Sequence, residues 1–131
     1  MAALTDAQRQ LFLDKNFVAI ATVGADGTPR NTIVWVHADN EHVIVNGANS
    51  RAWIKNLRRN PHVALTIYDQ AQPYRRVTVI GEAVAMTTEG AEEHIDELSQ
   101  KYGGRPYPDH QPNNPRVLVR IRPDRVTAMG V

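Results

Sequence analysis

Two turn signals cut the stretch Phe17–Asn46 into three strand-length pieces, and pieces that short and that tightly joined pair antiparallel with their neighbours. Phe17–Val23 is rich in apolar and β-branched residues and ends at Gly24-Ala25-Asp26-Gly27, whose Asp-Gly pair suits positive φ. Arg30–His37 follows, with Thr32, Val34 and Val36 alternating against Ile33 and Trp35. Ala38-Asp39-Asn40 turns the chain again into His42–Asn46. The same pattern returns later: His62–Asp69 and Tyr74–Ala85 flank a Gln72-Pro73 turn, and Arg116–Arg122 and Arg125–Met129 finish the series. Gly81, inside the longest of these runs, predicts a bulge or sharp bend.

Three segments depart from the two-residue period. Thr5-Asp6-Ala7-Gln8 has the form of a capping box and opens a helix to about Lys15, buried through Leu11 and Phe12. Ser50–Asn60 places Trp53, Ile54 and Leu57 on one helical stripe, with Ser50 as the expected N-cap and Pro61 as the stop. Thr87 or Thr88 is expected to cap a third helix that buries Ala91, Ile95 and Leu98 and ends at Gly103-Gly104. Arg105–Asn114 carries Pro106, Pro108 and Pro112 and reads as an extended loop. The expectation is a mainly β chain: an antiparallel barrel of six to seven strands with about three short helices, one domain over residues 1–131. A chain of 131 residues is long enough for one modest core.

Several functions are excluded by what the chain lacks. With 15 basic and 14 acidic residues the formal net charge is +1, too small for a broad nucleic-acid footprint. There is no cysteine, which removes disulfides, thiolate catalysis and cysteine-ligated metals. His37, His42, His62, His94 and His110 show no i, i+4 metal spacing, so no metal site is expected. Ser50 and Ser99 are the only serines, and neither sits in a nucleophile elbow. No apolar run reaches the roughly 20 residues that span a bilayer, and the N-terminus lacks signal-peptide character, so no membrane association and a cytoplasmic location are expected.

The segment Asn46–Pro61 carries the positive chemistry. Arg51, Lys55 and Arg58 or Arg59 fall at i, i+4 and i+7 or i+8, on one helical face. Like charges at that spacing disfavour an isolated helix by about 0.2–0.5 kcal/mol per pair, and an anion across the face reverses the sign. Gly47 and Ala48 allow close backbone approach, and amides at Ser50, Arg51 and Ala52 extend an anion site at the helix N-terminus. A solvated basic face is the plain alternative, and spacing does not separate the two.

The order of Phe17-Val18-Ala19-Ile20-Ala21-Thr22, Asp26-Gly27-Thr28-Pro29 and Ile33-Val34-Trp35-Val36, followed by Asn56-Leu57-Arg58-Arg59-Asn60-Pro61-His62-Val63, resembles the pyridoxamine-phosphate-oxidase-like split barrels. Tyr74–Gly81, Thr88-Glu89-Gly90-Ala91, His94–Leu98, Lys101-Tyr102-Gly103 and Arg120–Val126 are similar to one branch, the actinobacterial deazaflavin (coenzyme F420)-dependent oxidoreductases of the B type. The resemblance covers nearly the whole chain.

It implies an oxidoreductase that passes a hydride from reduced F420 to an unsaturated small molecule such as an enone, a coumarin-like lactone or a quinone. It further implies a homodimer with the cofactor at the subunit interface. FMN is the alternative cofactor, and a non-enzymatic flavin, deazaflavin or haem carrier is the alternative role. The residues it assigns to the cofactor are Asn31, Thr32, Val34 and Trp35 along the ring system, and Asn46, Gly47 and Ala48 on the ribityl side. Ser50, Arg51 and Lys55 fall to the phosphate, and Tyr74, Arg75 and Arg76 are contributed by the second subunit. Trp53 stands where relatives often have a phosphate-binding lysine. No side chain is assigned as catalytic, because the reactive carbon belongs to the cofactor. Solvent, Tyr74 or Tyr102 is the candidate proton donor.

Overall fold

The computed structural model describes residues 2–131. Thr5 and Gln8 complete both halves of the capping box at the start of α1 (Asp6–Leu13), whose buried residues are Leu11 and Phe12. β1 (Val18–Val23) and β2 (Pro29–Val34) form the first hairpin. Its turn holds Gly27 at φ 83°, and Asp26 Oδ1 accepts the Thr28 amide at 3.0 Å. Then follow β3 (Val36–Ala38), β4 (Val43–Ala48), α2 (Ala52–Arg59), β5 (His62–Tyr68), β6 (Arg76–Thr87), α3 (Ala91–Gly103) and β7 (Arg116–Met129). Among the described residues no helix is long and apolar enough to cross a membrane.

All strand pairings are antiparallel, and the sheet order is β2-β1-β5-β6-β7-β4-β3. The two edge strands, β2 and β3, are separated in sequence by Trp35 alone. One run of chain therefore leaves the sheet at one edge and re-enters it at the other, which curls the sheet into a split barrel. The continuous strand expected over Arg30–His37 is broken at Trp35 for a tertiary reason. The Val36 amide is taken by the Tyr102 hydroxyl of α3 at 3.2 Å, and the Trp35 ring stacks on Tyr102 with centroids 5.2 Å apart. The barrel interior holds Phe12, Ile20, Ile54, Leu65, Ile67 and Ile121, each fully buried and worth roughly 1.5–3 kcal/mol.

Other boundaries differ for local reasons. Arg116–Arg122 and Arg125–Met129 are one strand, with the register slipping from Ile80↔Arg125 to Gly81↔Pro123. The extra residue is Asp124 in β7, and Gly81 faces that bulge because a Cβ there would lie 2.1 Å from the Arg122 carbonyl oxygen. Neither Thr87 nor Thr88 caps α3; Gly90, at φ 76°, occupies the N-cap position and has no side chain to offer. The expected glycine stop is present, with Gly104 at φ 72°.

Candidate functional site

β4 ends in Asn46-Gly47-Ala48, and the Arg51 amide donates to the Ala48 carbonyl at 2.9 Å to close the turn into α2. Ser50 is not the cap expected from the sequence. Its amide donates to Asn114 Oδ1 at 3.0 Å and its hydroxyl accepts from Asn114 Nδ2 at 2.8 Å, so it ties the turn to the 105–114 loop. Arg51 holds the N-cap position without a side-chain cap bond. The amides of Ser50 and Arg51 are thus taken, while those of Ala52, Trp53 and Ile54 have no partner among the described residues.

A second arginine reaches this point from β7, where Arg116 pairs with Ala48 in the ladder. Its Nε donates to Asn46 Oδ1 at 2.8 Å, and its guanidinium lies 5.0 Å from the Tyr107 ring centroid. Burial pushes the Arg116 pKa down, and the nearby Arg51 charge pushes the same way. Neither guanidinium has a carboxylate partner among the described residues. Glu92, the nearest acid, is engaged by the Arg116 backbone amide and by His110.

The wall beside these cations is aromatic. Trp35 lies flat on Tyr102, and Tyr107 meets Trp35 edge-on at 6.4 Å and 90°. Phe17 also packs against Tyr102, tilted by 36° with centroids 5.2 Å apart. Between Trp35, Tyr107, Phe17 and Trp53 opens a cavity of about 320 Å³ that ends on Arg51 and Arg116. Two further cavities share Arg51. One, of about 390 Å³, runs under the loop past Ser50, Asn114 and Arg116, with Asp109 as its one carboxylate. The other, of about 470 Å³, is lined by Arg30, Asn31, Arg51 and Arg59 and has no carboxylate in its wall.

The loop that covers this region is held to α3 by His110, whose two ring nitrogens bond Glu92 and Asp96. Both bonds need donors, so the ring is an imidazolium here, and the two carboxylates hold its pKa above the ordinary histidine value.

The residues nominated from the sequence fall into two groups. Asn31, Thr32, Val34, Trp35, Asn46, Gly47, Ala48, Ser50 and Arg51 each line at least one of the three cavities. Lys55, Tyr74, Arg75 and Arg76 line none of them. Lys55 points to solvent from α2, Arg58 bonds Asn49 at 2.9 Å, and Arg59 bonds Asn56 at 2.8 Å. The shared basic face is therefore divided: Arg51 and Arg59 line the third cavity, whereas Lys55 and Arg58 line none of the three. On the β5–β6 hairpin, Arg75 pairs with Asp69 at 2.7 Å while Tyr74 is 71% exposed.

Trp53 is buried, and its Cζ2 would sit 2.4 Å from a Cβ on residue 47. The close approach that Gly47 permits is made by this indole. Tyr102 is not available as a proton donor: its hydroxyl donates to the Asn16 carbonyl, and burial pushes its pKa up to about 12. Arg116, Tyr107, Phe17 and Arg30 are among the lining residues that sequence reasoning missed. Their only advance sign was indirect, since Arg116 opens the strand after the proline-rich loop.

Residues 4–130 match the family model described as pyridoxamine 5'-phosphate oxidase. No curated protein matches the chain. Among solved structures the chain is similar to an F420 reductase, at 24% identity and a TM-score of 0.83, covering 95% of this chain and 98% of that one. It is also similar to a conserved hypothetical protein from Mycobacterium tuberculosis, at 24% identity and a TM-score of 0.75, covering 96% of this chain and 84% of that one. At these identities the likeness is one of fold.

Proposed function

The chain belongs to the pyridoxamine 5'-phosphate oxidase family, and from that premise we propose that it is an F420-dependent oxidoreductase reducing an unsaturated small molecule. One observation carries the reading: two guanidiniums without carboxylate partners, Arg51 and Arg116, converge with the open amides of α2 at the end of an aromatic-walled cavity. That donor set fits a phosphate, and Arg116 supplies the second cation that Trp53 does not. The walls of Trp35 and Tyr107 fit a flat ring system.

The bound deazaflavin supplies the hydride. The protein's part is to bind, to orient and to hold protons. Asn46 is held by the Ala91 carbonyl at 2.9 Å and in turn aims Arg116. Tyr107 Oη, 3.4 Å from Arg116 Nη1, carries a proton at the cavity wall and takes the role first given to Tyr74 or Tyr102. Deazaflavin is favoured over FMN because Arg30 and Arg59 continue the positive wall past Arg51, which suits an anionic tail beyond one phosphate.

The protein acts as a homodimer. Register places Ile33, Ala19 and Thr66 in one row across the outer face of β2-β1-β5, and Asn31, Ala21, Ala64 and Ile80 in the next. This face is small-sided and uncharged at these positions, with Ile33 64% and Ile80 43% exposed beside Asn31 and Thr66, and it suits a second copy that brings Tyr74 toward the site. Fluorescence titration with F420 and with FMN tests the cofactor. Saturable binding of F420 and weak binding of FMN are expected, and a yellow preparation that releases FMN overturns the choice. Oxidation of reduced F420 with an enone or quinone acceptor tests the activity, and tight binding without turnover makes the protein a carrier.

A further inference from the structure

Residues 105–114, the proline-rich loop, roof two of the cavities without a backbone hold on the rest of the molecule. Tyr107 closes the first cavity, and Tyr107, Asp109, Gln111 and Asn114 form one side of the second. Among the described residues no backbone–backbone hydrogen bond joins this segment to a strand or helix; the bond from Asn114 to Gln111 is internal. All of its residues are exposed except Tyr107 and Asn114. Gly104, at φ 72°, gives its first end a hinge.

Side chains make the ties instead. At the far end Asn114 holds Ser50, through Oδ1 at 3.0 Å and Nδ2 at 2.8 Å. At the near end the ties converge on α3, where Glu92 and Asp96 stand one turn apart. Asp96 Oδ1 accepts the Tyr107 amide at 2.9 Å and His110 Nε2 at 2.9 Å, while Glu92 Oε2 accepts from His110 Nδ1. The Tyr107 ring meets His110 edge-on at 5.5 Å and 82°, and the Arg116 guanidinium lies over it at 5.0 Å. The seat of His110 on α3 therefore sets where Tyr107 stands against Trp35 and Arg116.

This seat needs a doubly protonated ring. A neutral imidazole has one N–H and one lone pair, so one of the two carboxylates would face a lone pair. The groups around the ring are Glu92 and Asp96 on α3, Tyr107 and Asp109 on the loop itself, and Arg116 from β7. Arg116 acts through Tyr107 and through Glu92 Oε1, which accepts its backbone amide at 3.3 Å. The bonds to Asp96 and then Glu92 hold the His110 pKa above its ordinary 6.5. Closure therefore binds a proton: it is fullest below 6.5 and is lost as pH rises through the raised value. His94, also on α3, stays out of this range. Its Nδ1 accepts from Asn46 Nδ2 at 3.0 Å, and burial keeps its pKa down at about 4.

We propose that residues 105–114 are a strap over the Arg51–Arg116 end of the cavity, latched by the His110 imidazolium on Glu92 and Asp96 and released when that ring loses its proton. Release lets Tyr107 leave Trp35 and Arg116, which unroofs the first two cavities together. Passage of a cofactor through this opening rests on the deazaflavin reading; the latch itself does not.

Acrylamide quenching of tryptophan fluorescence in the cofactor-free protein, from about pH 6 to 9, reads the strap, because Trp35 loses its Tyr107 cover on release. Quenching is expected to rise in one transition whose midpoint matches the His110 ring titration followed by NMR. His110→Gln, without the charge, shows the high-pH quenching throughout. His110→Arg, which keeps the charge, holds the low-pH quenching to the top of the range. In stopped flow, release of F420 speeds about two- to fivefold over the same range, the effect an exposed ion pair supplies, and His110→Arg suppresses the change. Quenching that is flat with pH overturns the latch, as does a transition that persists in His110→Gln or is undiminished in His110→Arg. A constant rate of F420 release beside changing quenching overturns the gating. F420 that does not bind at all defeats the cofactor reading, and the quenching still decides for or against the strap.

Discussion

Arg116 and Arg122 sit on the same strand and live by different rules. Arg122 reaches Glu82 at 2.6 Å and Asp124 at 2.8 Å, and those bonds hold its pKa above the usual guanidinium range. Arg116 is more deeply set, has only an amide and a phenol ring for side-chain partners, and has its pKa pushed down. Both lie in β7 near the point where another strand comes close. The neutralised one stabilises a bulge; the other is held in place by neutral groups that leave its charge unspent. A cation ordered without a counter-charge marks where a ligand's charge belongs.

The sharpest way to probe the Arg122 end is Gly81→Ala, which drives a Cβ to 2.1 Å from the Arg122 carbonyl oxygen. The expected loss is at least about 3 kcal/mol in denaturant unfolding, because backbone has to move. The folded fraction should still bind F420 normally; a loss of affinity there breaks the separation of the two ends.

Acid should act on the Arg116 end instead. Unfolded, His94 takes up a proton near its ordinary 6.5; folded, it does so only near about 4. Stability therefore falls as pH drops from 6.5 toward 4, by roughly 2–3 kcal/mol, and is indifferent to His94 above that window. Urea midpoints across the range check this, and His94→Gln flattens the dependence.

Arg116→Ala should weaken F420 by roughly 1.5–3 kcal/mol, a tenfold loss or more, while the melting temperature holds or rises. An unchanged affinity removes Arg116 from the site. The smallest effect belongs to Arg122→Ala: unaltered cofactor affinity and a slight drop in melting temperature that added salt erases.

Features set by neighbours in sequence were legible without coordinates. The Thr5–Gln8 capping box and the Trp53, Ile54 and Leu57 stripe depend on spacings of three or four residues, and both stand as read. The hairpins around Gly27 and Gln72-Pro73 are of the same kind. Arg116 was invisible because its place opposite Ala48 depends on a strand pairing that joins distant parts of the chain. The break at Trp35 was invisible for a similar reason, since a hydroxyl on α3 takes the Val36 amide. Helical spacing put Lys55 beside Arg51, but it could not say that the cavity along α2 follows Ala52, Asn56 and Arg59 and leaves Lys55 in solvent.

Trp35 is the clasp of a hoop as well as a wall of the cavity, for the chain enters the clasp from the strand that grips β1 and leaves it into the strand that grips β4. A clasp that touches its cargo makes loading and tightening one event. Whatever settles against that indole slows the opening of both flanks together, so the amides of β1 and β4 share one protection from solvent exchange.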